Sequence, residues 1–161
     1  CRRYRHPPRK SQGCRQDHPR HRPIHRILIM LGEIIELPKI YDPRGNLTVA
    51  EQMKNVPFEV KRVYWTYDVP AGERRGGHAH KECVEFIIAV SGSFTVTLDD
   101  GKGNRKDFLL NHPWEGLFVP TGIWRTLEDF SSGAVCLVLA SELFDEDDYL
   151  YEYDEFLEYV K

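Results

Sequence analysis

The side chains best able to do chemistry are concentrated in one stretch of the 161-residue chain, GERRGGHAHKECVEFIIAVSG. Gly72 is followed after five residues by His78, after one more by His80, after four by Glu85 and after six by Gly92. Side chains alternate along a strand, so His78 and His80 point the same way. Histidine titrates near neutrality, and two imidazoles on one face can divide the abstraction and return of a proton between them. Together with Glu85 they can equally offer three ligands to a metal ion with open positions. Glu85 stands an odd step from His80, so a bend or turn must intervene before it joins them. The plain alternative is a hydrogen-bonded structural pair, since a buried imidazole needs a partner in any case. Further along, Trp124 and Arg125 close the run GLFVPTGIWR. A guanidinium is always protonated, so Arg125 beside the histidines would repel a divalent cation and welcome an anion.

Positioning these groups requires strands, and from Gly32 onward the chain reads as short strands divided by turns. GEIIELPKI, LTVAEQ, FEVKRVYWTYDV, HAHKECVEFIIAV, SFTVTL, RKDFLL, EGLFVP, IWRTLE and GAVCLVLAS are the segments, with turn chemistry at DPRGN and an Asp-Gly hairpin loop at DDGKGN. Val60, Val63, Trp65 and Tyr67 are read as barrel-facing or packing positions of the third segment. Such spacing predicts an all-β sandwich or barrel. The last segment, 144–161, sets Tyr149, Tyr153, Phe156 and Tyr159 at helical spacing behind a run of acids, and is read as one C-terminal helix.

The length suits one domain. A net charge of −3 argues against nucleic acid as the main partner. Residues 1–29 are strongly basic, with Asp17 as their one acid, and hold four of the seven histidines and four of the ten prolines. They lack apolar periodicity and are expected to form a disordered tail of upstream origin without assigned function, ahead of a domain at 30–161. No apolar run approaches the roughly 20 residues that span a bilayer. Cys83 and Cys136 lie inside apolar runs with no CxxC spacing, which points away from zinc ribbons and disulfide frameworks and toward the cytoplasm.

The Gly-HxH-Glu-Gly spacing resembles the first motif of the cupins. Gly116, Pro120 and Gly122 match part of the second, with Arg125 where a metal cupin has its fourth ligand, a histidine. More closely, the chain from about Gly32 resembles the dTDP-sugar 3,4-ketoisomerase family, the WxcM-like branch of the RmlC-like cupins. The resemblance rests on DPRGNLT, PFEVKRVYWTYDV, RGGHAHK, SGSFTVTLDDG, FSSGAVCLVLAS and YDEFL. It implies an RmlC-like double-stranded β-helix, a jelly-roll barrel with a short C-terminal helix, forming a homodimer. It also implies an activity that moves a keto group between C4 and C3 of a dTDP-linked keto-sugar without metal or other cofactor. His78 and His80 match the family's paired catalytic histidines, and Arg62, Tyr64 and Arg75 match its flanking basic and tyrosine positions. Glu85, Trp124 and Arg125 complete the expected substrate-binding set. Glu85 stands where many members carry Gln, and Arg125 where some carry His. A 3,5-epimerase, a metal-dependent cupin and a sugar-nucleotide binding module without catalysis are the other functions this architecture would serve.

Overall fold

Alternating apolar residues and frequent turns build two antiparallel sheets in a computed structural model, which describes residues 31–161; the basic tail expected at 1–29 lies outside them. The first sheet joins five strands in the order β1 (Glu33–Glu36), β9 (Glu115–Val119), β6 (Glu85–Ser91), β11 (Val135–Ala140) and β4 (Arg62–Thr66). The second joins β12 (Tyr149–Leu150), β5 (Arg75–His80), β10 (Trp124–Glu128), β7 (Phe94–Asp99) and β8 (Arg105–Leu110). A two-stranded ribbon pairs β2 (Lys39–Ile40) with β3 (Leu47–Thr48), and α1 (Tyr153–Tyr159) closes the chain. This all-β arrangement is the RmlC-like cupin jelly roll with its short C-terminal helix. No helix among the described residues is long and apolar enough to cross a membrane.

The main core lies between the sheets, where Ile87, Phe94, Val96, Leu98, Leu110, Leu117 and Val119 are almost fully buried. Removing this much apolar surface from water is the dominant stabilising term. Gly92 takes a positive φ of 65° in the turn between β6 and β7, where any Cβ would also meet Ser131 and Ala134. Gly116 matters for space alone, because a Cβ there would lie 1.9 Å from the ring of the fully buried Phe86. Gly116→Ala therefore has to displace a core aromatic. A stability loss of about 3 kcal/mol or more is expected, at the upper end for overpacking, and a urea titration would measure it.

Three expectations are corrected. On β4 the inward positions are Arg62, Tyr64 and Thr66; Val63, Trp65 and Tyr67 point outward and are exposed, while Val60 packs in an outer cluster with Val56 and Phe58. The stretch from His78 through Val90 is not one strand, for residues 81–84 turn the chain from the second sheet into the first. The C-terminal segment is helical only from Tyr153: Glu146–Asp148 form a single 3-10 turn, and Tyr149 lies in β12, paired with His80 on β5. Tertiary pairing overrides helical spacing there, because β12 satisfies the edge of β5 that would otherwise be open.

Candidate active site

The two sheets bring different parts of one cluster together. From the second sheet, β5 carries His78 and His80, and β10 places Arg125 directly opposite His78 in the ladder. From the first, β4 supplies Arg62 and Tyr64 and β6 begins with Glu85. The turn at 81–84 explains how Glu85, out of step with His80 on a single strand, reaches it: the two residues sit on facing sheets.

Glu85 is the hub. Its carboxylate accepts a hydrogen bond from the Tyr64 hydroxyl at 2.5 Å, lies 3.2 Å from Arg125 Nε as an ion pair, and stands 3.4 Å from His80 Nε2. Neither of the two longer approaches has hydrogen-bond alignment, so His80 Nε2 keeps no hydrogen-bond partner. Burial alone would raise the Glu85 carboxyl, but Arg125, His80 and Tyr64 outweigh it and hold the group well below the usual carboxylate range. The same burial and the Glu85 charge push the Tyr64 phenol up, so it remains a donor.

Arg125 is 1% exposed, and its Nε, Nη1 and Nη2 make no hydrogen bond. Donors left this way inside a protein are costly, and a guanidinium offers paired N–H groups suited to an oxyanion. His78, opposite it, keeps a buried, unpartnered Nε2. Burial, and then the Arg125 charge, lower its pKa to about 4, so the ring is neutral at pH 7 and able to take up a proton. His80 is fully buried, and its Nδ1 lies 2.7 Å from Asp148 Oδ2. Asp148 also accepts from the backbone amides of Glu82 and Cys83. A carboxylate anchored by two amides acts as acceptor toward the ring, which places the imidazole proton on Nδ1.

Aromatic rings wall the cluster. Tyr149 lies 4.3 Å from the His80 ring and 5.1 Å from that of His78, and Tyr151 stacks on Tyr149 at 5.1 Å. Arg62 spans Tyr64 and Phe144, with Nη2 3.4 Å from the Tyr149 hydroxyl. Asp148, Tyr149 and Tyr151 were not anticipated from sequence. The only signal was the aromatic density of YLYEY, and helical spacing gave it another meaning.

Two anticipated residues stay apart from the cluster. Trp124 is on the opposite face of β10 from Arg125 and packs against Tyr153 and Phe156 of the C-terminal helix. Alternation allows only one of the pair inside. Arg75 is exposed at the far end of β5, lining a shallow groove with Trp65, Tyr67 and Glu73. As for a metal, the donor atoms of His78, His80 and Glu85 lie within 4.8 Å of one another. The fixed positive charge of Arg125, paired with Glu85, repels a cation here, however. This trio does not suit a cation.

Comparison with known proteins agrees with this geometry. The family described as FdtA: WxcM-like, C-terminal matches residues 30–161. The TDP-4-oxo-6-deoxy-alpha-D-glucose-3,4-oxoisomerase of Aneurinibacillus thermoaerophilus is 42% identical over 131 residues, 81% of this chain and 94% of that protein. Among solved structures, the WlaRB TDP-quinovose 3,4-ketoisomerase of Campylobacter jejuni is 44% identical, with a TM-score of 0.75 over 79% of this chain and 97% of its own. QdtA of Thermoanaerobacterium thermosaccharolyticum, a histidine-to-asparagine mutant solved in complex with TDP-4-keto-6-deoxyglucose, is 34% identical, with a TM-score of 0.80 over 83% and 96%. The facing sheets, the paired histidines and a match running the length of the described domain lead to one assignment: the chain belongs to the WxcM-like, C-terminal (FdtA) family.

Proposed function

We propose that the chain is a sugar-nucleotide 3,4-ketoisomerase, an isomerase that converts TDP-4-keto-6-deoxyglucose to the 3-keto isomer. The observation that carries the reading is the pairing of a neutral histidine, its Nε2 unpartnered, with a buried guanidinium whose N–H groups have no partner. Moving a carbonyl from C4 to C3 means taking the proton from C3, passing through an enediol, and returning a proton to C4. His78 is the carbon base, because it is the less buried of the two rings and its Nε2 is unpartnered. His80, fixed by Asp148, shuttles the hydroxyl proton, taking it from O3 and passing it to O4. Arg125 stabilises the negative charge that develops on the oxygens, a preorganised donor where charge appears. Tyr149 and Tyr151 present faces on which the sugar packs, and Arg62 takes part of the diphosphate charge.

The test is incubation with TDP-4-keto-6-deoxyglucose in deuterated water, followed by NMR. A 3-keto product carrying deuterium at C4 supports the ketoisomerase. Ligand bound without exchange at any ring carbon would leave a binding module, and deuterium at C3 and C5 with the carbonyl kept at C4 would mean an epimerase.

The lowered His78 pKa gives a pH prediction. Its base form persists down to about pH 4, so the acid limb of kcat/KM is expected nearer 4 than the ordinary 6.5. Folding stability responds in the same window: as pH falls from about 6.5 to about 4 the unfolded chain takes up this proton first, and stability declines. An acid limb centred near 6.5 would assign the base to another group.

A homodimer working in the cytoplasm completes the proposal. The exposed Val63 and Trp65 on β4, with Tyr67 just after it, offer an apolar strip for a second copy, and the free buried thiols of Cys83 and Cys136 suit a reducing compartment. Light scattering on the native protein and on Trp65→Glu tests the pairing.

A further inference from the structure

On the Nδ1 side of His80, whose Nε2 faces Glu85, lies a second trio of donors. His80, Cys83 and Asp148 each present one ligand atom, and the three atoms lie within 4.8 Å of one another. Imidazole nitrogen, thiolate sulfur and carboxylate oxygen are the ligand types of a borderline-soft divalent ion such as zinc, cobalt or cadmium. The fold builds the trio from three places: β5 ends in His80, the turn at 81–84 brings Cys83, and the 3-10 turn at Glu146–Asp148 brings Asp148, tied to the turn by its bonds from the Glu82 and Cys83 amides. Among the described residues Asp148 pairs with no arginine or lysine, in contrast to Glu85.

The approach to this trio is also suited to a cation. Asp148 opens onto a groove lined by Glu82, Glu142, Asp145 and Asp147, with Lys61 and Lys81 as its only bases. Lys61 is already paired with Glu142, and Lys81 is turned onto the Asp147 carbonyl. Clefts lined by one sign of charge raise the local concentration of the opposite ion.

We propose that His80 Nδ1, Cys83 Sγ and Asp148 form an inhibitory site for a thiophilic divalent cation. Ligation replaces waters of the ion with the three donors. The Cys83 thiol proton leaves to solvent, and the ring proton of His80 moves from Nδ1 to Nε2, where it faces Glu85 Oε1 across 3.4 Å. That shift withdraws His80 from the hydroxyl proton, so the inhibitory half of the proposal rests on the ketoisomerase reading, while the binding half does not.

The experiment titrates the whole chain with cobalt(II) and with cadmium(II), comparing it with Cys83→Ser and Cys83→Ala, whose folding is checked by thermal melts. All three proteins share the cysteines and histidines of residues 1–29, so the difference isolates the trio. The native chain is expected to bind one more equivalent than either variant, with a thiolate-to-metal charge-transfer band, and to lose at least tenfold in turnover as that equivalent fills. The variants keep their metal-free turnover within about twofold and resist the ion. Equal binding and equal absorption in native and variant chains overturn the site. An extra equivalent without loss of turnover overturns the inhibition and leaves a binding site alone. If no chain turns over the sugar nucleotide, the ketoisomerase reading fails, and binding and absorption still decide whether the trio holds metal.

Discussion

Asparagine at position 78 is expected to lower kcat about a thousandfold while the sugar nucleotide stays bound, and to abolish entry of solvent deuterium at C3 and C4. His78 is the less buried ring and its Nε2 is unpartnered, so its removal takes away the carbon base, and general bases contribute roughly a hundred- to ten-thousand-fold. Asparagine keeps a polar group of similar reach and cannot accept the proton. His80→Asn has a different signature. With the carbon base intact, deuterium still enters at C3, while transfer of the carbonyl stalls for want of a path between O4 and O3. Asp148→Asn resembles His80→Asn in a milder form, because an amide no longer fixes the proton on Nδ1. NMR in deuterated water resolves all three. Full exchange at C3 and C4 in His78→Asn would remove that residue from the mechanism, and identical behaviour of the two histidine variants would dissolve the division of labour.

This division depends on features of unequal legibility in the sequence. The shared face of His78 and His80 follows from alternation, and the pairing of β10 with β5 makes Arg125 their neighbour. The strand-and-turn spacing was enough for an all-β sandwich or barrel, because the strands are short and most turns carry Gly, Asp or Pro, while the jelly roll itself came from the family resemblance. The inward face of β4 was misjudged, since Val63, Trp65 and Tyr67 are the apolar set by residue type and yet are exposed, while Arg62 and Tyr64 point inward to meet Glu85 and Tyr149. Apolar character normally marks the interior; a strand with a polar cavity on one side and an exposed outer face reverses it. Asp148 could not be foreseen, because its bond to His80 joins residues 68 apart in the chain through an edge strand of two residues. Local pattern carries no information about such a pairing.

The charge balance at the bottom of the site supports the largest stability effect. Glu85→Gln is expected to cost about 3 kcal/mol and to lower Tm by roughly 10 °C, because it leaves the Arg125 guanidinium buried without its counter-charge. Glutamine can still accept from the Tyr64 hydroxyl, so the loss reports charge and not shape. The wild-type carboxyl is held below its ordinary range, and the stability it contributes is present above about pH 4.5 and lost only as pH falls through the lower, folded value. Arg125→Met leaves the opposite charge stranded and is destabilising in turn. The double variant, with neither charge, recovers most of the loss, and the cycle is expected to show a coupling of about 2 kcal/mol or more by urea unfolding. A coupling under about 0.5 kcal/mol would mean that the two groups are separately solvated and that Glu85 is not what holds Arg125. The same guanidinium is thus held by Glu85 when the site is empty and has N–H groups to spare for the enediolate when it is full, which is why a buried, incompletely bonded arginine is tolerated here.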